Sequence, residues 1–398
     1  MLPSPLWCIV SLAWILSLPA KSWQAGYLGE RALPTLLPDD IALLVNTPDP
    51  VKNIDPHNPK SHLSKILIPR PPDTDNNTQV RQYLVKTLKD LNWHVEEDAF
   101  EGDTPYGKKK FTNVIATKDP KATRRVILSA HFDSKFFPTF PENQFVGATD
   151  SAAPCAMMLD LAEALNPMLE RRIQRVKDEE LDDDDDLDDM TLQLVFFDGE
   201  EAFKDWTDTD SIYGARHLAE RWASTYVQQH QKRRLLAQIE TELSTVEHFI
   251  LLDLLGADLP RLRSYFVDTA WMFDGLIDAE KRLGESGAFA FGDSQSMAPG
   301  KWRSYFQPRG QMQWNYGYIG DDHVPFLKRG VPILHLIAEP FPHVWHKLSD
   351  NADALDVPTM RRWNLLLRVF MSERSEDVPV AQRSVSELVS FPLSVDFT

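Results

Sequence analysis

Histidines and carboxylates recur where the chain's apolar runs end, and their types and spacing suit a metal centre. VILSAHFDSK closes on His131 and Asp133, FVGATDSAAP carries Asp150, and LQLVFFDGEEAF closes on Asp198, Glu200 and Glu201. FILLDLLGA closes on Asp253, and FPHVWHKLSDN adds His343 and His346 after the last run. Nitrogen and oxygen donors from several strand exits suit zinc in an open catalytic site, where three protein ligands leave a position for water or substrate. Within the Glu200–Glu201 pair, one carboxylate can bind metal while its neighbour faces the cleft as acid or base. A second carboxylate nearby and partial desolvation push such a pKa toward neutrality, which suits proton transfer. Asp133, two residues beyond His131, can accept that ring's other N–H and fix its tautomer. Singly, each residue has an ordinary reading: Asp150 as a helix N-cap, Asp253 in a strand-end turn, Asp133 as a local acceptor. Five successive strand exits carrying such residues make the ordinary reading untenable for the set.

The elements that must position these groups are short apolar runs at Thr112–Thr117, Val126–Phe132, Leu192–Phe197, Phe249–Leu254 and Val331–Ile337. Several lack alternation, as strands buried on both faces do. Helical periodicity lies between and around them. Gln79–Leu91 aligns Val80, Tyr83, Leu84, Leu88 and Leu91; Ala153–Leu165 is expected to stop at Asn166-Pro167; Tyr213–Gln231 follows; and Met360–Phe370 sets Met360, Trp363, Leu367 and Phe370 in phase. Alternating strands and helices predict an α/β fold, a three-layer α-β-α sandwich around a mostly parallel mixed sheet. Ligands of such folds bind beyond the carboxyl ends of the strands.

The 398 residues carry 42 Lys+Arg against 59 Asp+Glu, a net charge of −17, and are 43% hydrophobic. That composition fits a globular protein with a large core and argues against a nucleic-acid partner. Ten acidic residues sit in the block Asp178–Asp189, leaving −7 elsewhere, so the acidity says little about substrate. The block reads as a disordered insertion at about residues 175–190. Two cysteines, Cys8 and Cys155, exclude a disulfide scaffold and a Cys-rich zinc finger, so a metal must be held by His and carboxylate. Leu6–Leu18 is apolar but short of the roughly 20 residues of a membrane span. With Ala20 and Ser22 at a plausible cleavage site, residues 1–22 are expected to be a signal peptide, or alternatively a retained membrane anchor. Asn76-Asn77-Thr78 is a glycosylation sequon expected at the surface. One catalytic domain over residues 23–374 and a tail over 375–398 complete the expected organisation.

HFDSK, GATDSA, FFDGEEAF followed by Trp206, SIYGARHLA, LLDLLGA, DDHVPFLKRGVPILHLI and FPHVWH together resemble the glutaminyl-peptide cyclotransferases of the zinc aminopeptidase-like superfamily. The resemblance runs in consistent order over roughly residues 60–370. It implies Asp150, Glu201 and His346 as zinc ligands, Glu200 as general acid/base, and Asp253, linked by hydrogen bonds to Asp321, as the group orienting the reacting amide. It implies Trp206, Ile319, Phe341 and Trp345 as an apolar substrate pocket with His335 as a polar wall. His131 takes the position of a second-metal ligand in related dinuclear aminopeptidases, with Asp133 beside it. Ala130 stands where many animal members have the cysteine that pairs with the counterpart of Cys155.

The implied activity is conversion of the N-terminal Gln of peptide or protein substrates to pyroglutamate with release of ammonia. One zinc per chain, a monomer, and a secreted or lumenal location without stable membrane association are expected with it. A secreted zinc aminopeptidase with two metals is the alternative, and a non-catalytic binding protein of the same fold a more distant one. Intact Glu200, Glu201 and ligand positions speak against the last.

Overall fold

The computed structural model describes residues 35–178, 190–227, 240–310 and 314–374. The expected signal segment, most of the acidic block and the C-terminal tail lie outside the described residues. Six strands form one sheet in the order β1-β2-β4-β3-β5-β6. They are β1 (His94–Thr104), β2 (Gly107–Thr117), β3 (Arg124–His131), β4 (Met190–Phe197), β5 (Val246–Asp253) and β6 (Ile333–Ile337). β3, β4, β5 and β6 are mutually parallel, and β1 and β2 add an antiparallel edge. All five expected strands are present, on the expected mostly parallel sheet.

Strand side chains alternate between two cores. Val126, Leu128, Leu194, Phe196, Ile250 and Leu252 face one cluster with α3 (Asp75–Asp90), α4 (Ala153–Asp178), α6 (Ala270–Glu285) and α8 (Val357–Arg374). Ile127, Val195, Phe197, Phe249 and Leu251 face the other, under α5 (Tyr213–Ser224) and the short α7 (Val324–Leu327). Each fully buried Leu, Ile or Phe contributes about 1.5–3 kcal/mol. The residues that follow β3, β4 and β5 therefore gather at the carboxyl ends of these adjacent parallel strands. Among the described residues no helix is long and apolar enough to cross a membrane.

Several boundaries differ from the sequence reading. α4 does not stop at Pro167 but runs through it. Pro167 removes one amide donor, yet Leu169 beyond it is buried and Met168 packs on the core, so tertiary burial outweighs the lost bond. α5 ends at Ser224 instead of Gln231. The β-branched Thr225 and Val227 favour extended backbone, and Tyr226 and Val227 pair with Thr241 and Glu240. β1 escapes the sequence reading because its acidic face is mostly solvated, as on a protected edge strand. α6 has no counterpart in that reading either. Asn76 of the sequon is exposed, in the first turn of α3.

A buried ion pair joins α4 and α8 behind the sheet. Arg368 of α8 donates from Nε and Nη2 to Asp160 of α4 at 3.0 and 2.9 Å, and from Nη1 to the Leu44 and Pro48 carbonyls. Burial raises the Asp160 pKa despite the opposing Arg368 charge. Arg368→Met is expected to lower stability by about 3–5 kcal/mol, because it strands a buried carboxylate. Arg368→Met with Asp160→Leu should recover part of the loss. Urea denaturation checks both, and an unchanged midpoint in the single variant refutes the role.

Candidate metal centre and active site

β3 delivers His131, and the chain continues through Phe132 to Asp133. β4 delivers Asp198, then turns at Gly199, whose φ is +77°. A Cβ there would lie 2.5 Å from the Phe111 ring, so only glycine lets the following Glu200 and Glu201 turn into the cleft. Asp133 braces that turn, accepting from the Glu200 amide at 3.2 Å and the Glu201 amide at 3.3 Å. Its Oδ1 also lies 3.3 Å from His131 Nδ1, the contact expected from their spacing.

Asp150 sits in the tight turn Ala148–Ala152 ahead of α4 and is not a helix cap. Gly147 enters that turn at φ +61°, where a Cβ would collide with the Asp150 carbonyl. Asp350 fixes the turn from outside, accepting from the Thr149 amide and hydroxyl. Arg70, fully buried, donates to the carbonyls of Phe132, Val146 and Gly147, tying the His131 and Asp150 loops together. Cys155, a free thiol, donates to the His131 carbonyl, and burial pushes its pKa up to about 12.

Three donor atoms converge. His346 Nε2 lies 3.1 Å from Glu201 Oε1 and 3.5 Å from Asp150 Oδ2. Asp150 Oδ2 is buried without a hydrogen bond. One atom from each of these residues lies within 4.8 Å of the others, a spread that suits one metal ion between an imidazole and two carboxylates. His346 holds a backbone φ of +55°, a conformation costing of order 1–3 kcal/mol in a non-glycine residue. Burial opposes its charged form, but the Asp150 and Glu201 carboxylates outweigh burial and hold its pKa up at about 9. Asp150, despite burial, is held well below the usual carboxylate range by His131 and His346.

A second set shares Asp150. His131 Nε2 lies 3.0 Å from Asp150 Oδ1 and 3.6 Å from Asp253 Oδ1. These three residues also meet the geometric requirement for a cation. Asp253 accepts from Ser151 Oγ at 2.5 Å and from the Leu254 amide. Burial, reinforced by the Asp321 charge, pushes its pKa up to about 6. Asp321 in turn accepts from His335 Nε2 at 2.8 Å and from the Asp322 amide at 2.6 Å. The expected hydrogen-bonded link between Asp253 and Asp321 is not among the bonds of the described residues; the two buried carboxylates act on each other through charge, and their hydrogen bonds go to Ser151, Leu254, His335 and Asp322 instead.

Glu200 is 7% exposed, and its carboxyl takes no hydrogen bond from any described residue. Burial, with the charges of Asp321, Glu201 and Asp322 outweighing the opposing His131, pushes its pKa well above the ordinary value. The Glu pair is therefore divided: Glu201 faces His346 and Lys135, and Glu200 is left for a visitor. Lys135 Nζ reaches Glu201 Oε2 at 3.3 Å and the Ala202 carbonyl at 3.0 Å.

Trp345 stacks on His346 with ring centroids 3.9 Å apart, and Phe341 meets Trp345 at 5.0 Å. Ile319 and Phe341 are partly buried against the α5 side of the core. Trp206, 48% exposed, lies beside Gly320. His335 departs from expectation: it is 2% exposed and sits behind Asp321 as its hydrogen-bond donor, not on an open wall. Its position on β6, buried on both faces, explains why. His343 points away from the cluster and is exposed, offering only its carbonyl to Lys347. Sequence reasoning missed Arg70, Ser151 and Asp350. Each acts from a loop through backbone or side-chain contacts that no motif spacing announces.

A family model described as Peptidase family M28 matches residues 113–371. The glutaminyl-peptide cyclotransferase of Bos taurus is 41% identical over 319 residues, covering 79% of this chain and 81% of that protein. The glutaminyl-peptide cyclotransferase-like protein of Mus musculus is 44% identical over 314 residues, covering 78% and 73%. The crystal structure of Macrostomum lignano glutaminyl cyclase matches with a TM-score of 0.68 at 36% identity, covering 87% of this chain and 95% of that one.

Zinc added to chelator-treated protein is expected to raise its melting temperature by mass action on the folded state. His346→Ala should weaken zinc binding by about 10–100-fold or more, the scale set by losses at outer-shell partners. A competition titration with a chromogenic chelator reads the affinity directly. Unchanged affinity in the variant would exclude the Asp150–Glu201–His346 site.

Proposed function

The chain belongs to peptidase family M28 and, within it, to the glutaminyl-peptide cyclotransferases, and we propose on that footing that its cleft converts N-terminal Gln of peptides and proteins to pyroglutamate, releasing ammonia. The observation that carries this reading is the buried, unengaged Glu200 carboxyl beside the Asp150–Glu201–His346 donor set. Bound there, a zinc ion would supply Lewis-acid stabilisation of the negative charge that develops on the side-chain carboxamide oxygen.

The remaining steps belong to the protein. Glu200 accepts a proton from the substrate α-amine, whose nitrogen then bonds to the carbon of its own side-chain carboxamide. The same carboxyl returns the proton to the departing nitrogen, and the carbon–nitrogen bond breaks to release ammonia. A pKa raised by burial suits both halves of that transfer. Asp253, fixed by Ser151 and coupled to Asp321, is positioned to orient the carboxamide N–H groups. Nucleophile and electrophile lie in one residue, so holding the cyclic near-attack geometry is the main demand. Phe341, Trp345, Ile319 and Trp206 are assigned to that task, clamping a small side chain and excluding water.

One zinc per chain is our assignment. The alternative, an aminopeptidase with two zincs, is favoured by the His131–Asp150–Asp253 set, which offers a second cation position around the same Asp150. The apolar residues Leu6–Leu18 with Ala20 and Ser22 support a secretory route to a secreted or lumenal protein, and a monomer is our assignment.

A coupled ammonia assay on a Gln-initiated dipeptide tests the reaction, with full activity expected in the zinc-loaded enzyme and loss under a chelator. No ammonia from the loaded enzyme, or two zincs with release of N-terminal amino acids, overturns the proposal. Glu200→Gln is expected to lower kcat by about 10²–10⁴-fold, the usual contribution of a positioned acid/base, while zinc content stays unchanged. Unaltered turnover in that variant refutes the role of Glu200.

A further inference from the structure

Residues 314–319, Trp-Asn-Tyr-Gly-Tyr-Ile, lead directly into Gly320 and Asp321 at the rim of the cleft. Trp314 is 70% exposed, Tyr316 46% and Tyr318 44%. The segment is irregular, with a bend at Trp314 and neither helix nor strand to residue 320, and the Tyr318 ring also meets buried Phe266 at 5.9 Å. It is pinned: the Tyr316 amide donates to the Tyr265 carbonyl at 3.0 Å, and Asn315 Oδ1 accepts from the Val267 amide at 2.9 Å. From residue 314 to 320, no other backbone amide has a backbone acceptor among the described residues. Open space faces Gly317, where a Cβ would meet nothing within 4 Å.

The stripe is continuous with the cleft. The Tyr318 ring lies 5.6 Å from His323, whose ring is 4.5 Å from His335, the donor to Asp321. Ile319 and Trp206, assigned above to the substrate pocket, flank Gly320. Exposed Trp and Tyr at this density mark recognition surfaces, since each offers large contact area at small entropic cost.

We propose that residues 314–318 bind the substrate polypeptide downstream of its N-terminal Gln. The peptide leaves the cleft along the segment, its apolar or aromatic side chains resting on Trp314, Tyr316 and Tyr318. Continuity with the cleft selects this occupant over a second copy of the chain: a peptide whose first residue occupies the pocket beside Gly320 must leave past a neighbouring lip, and this lip is aromatic. The inference rests on the cyclotransferase reading and adds to it a preferred substrate class, unstructured N-termini with apolar residues after Gln.

The test compares three substrates on the zinc-loaded enzyme: a Gln-initiated dipeptide, a heptapeptide with Leu or Phe at alternate positions, and a heptapeptide extended with Gly and Ser. The apolar heptapeptide is expected to show a KM about tenfold below the other two, equivalent to about 1.4 kcal/mol. Trp314→Ser combined with Tyr316→Ser should raise that KM to the dipeptide value while leaving kcat and the dipeptide's KM unchanged. Equal KM for all three peptides in the unaltered enzyme, or parallel losses on dipeptide and heptapeptide in the variant, overturns the subsite alone. Sedimentation velocity on both proteins reads the competing occupant. A dimer that the double variant dissociates, with no change in the KM ratio, makes the stripe a self-association face and overturns the subsite. An enzyme inert toward the dipeptide overturns the cyclotransferase reading and this inference with it.

Discussion

Asp150 is the point on which the site turns. One of its oxygens faces His131 and the other faces His346, so a single buried carboxylate is shared between two imidazoles. Burying a carboxylate is costly unless positive charge or hydrogen bonds compensate it. Around it stand Glu200, Glu201, Asp133, Asp253 and Asp321, each at most 8% exposed. Two imidazoles and Lys135 cannot neutralise so many acids. Burial and the Asp321 charge push Asp253 up to about 6, while His131 and His346 hold Asp150 well below the usual carboxylate range.

Such a cluster repels itself, and the fold restrains it with backbone as much as with side chains. Asp133 gathers the amides of Glu200 and Glu201, so the acidic pair cannot splay apart. Arg70 gathers carbonyls from the loops after β3 and before α4, and Asp350 holds the turn that carries Asp150. These residues contact no donor atom of the proposed zinc site, yet they decide where those atoms point. The parallel strands supply the base for this arrangement: their exits lie side by side, and loops leaving adjacent strands need only a few residues to meet.

The same repulsion divides labour within the site. Glu201 is drawn to His346 and Lys135, at 3.1 and 3.3 Å. Glu200, one residue on, has no such partner and is governed by burial and by neighbouring carboxylates. Adjacent identical residues thereby acquire different partners, which is what a ligand beside a proton carrier requires.

By itself the sequence determined the strands β2 to β6, because uninterrupted apolar runs have few ways to be buried other than as central strands. It also determined the donors at their ends, since His131, Asp150, the Glu pair, Asp253 and His346 are unusual residues to place there. It could not determine α4 beyond Pro167, the end of α5 or the strand β1, where local propensity gives way to packing and ladder pairing with distant residues. Nor could it decide that His335 stands behind Asp321, that His343 turns away while His346 turns in, or that Arg70 and Asp350 hold the loops. Those outcomes depend on which groups are brought within about 3 Å of each other across separations of dozens to hundreds of residues, and only the assembled sheet with its packed helices sets those distances.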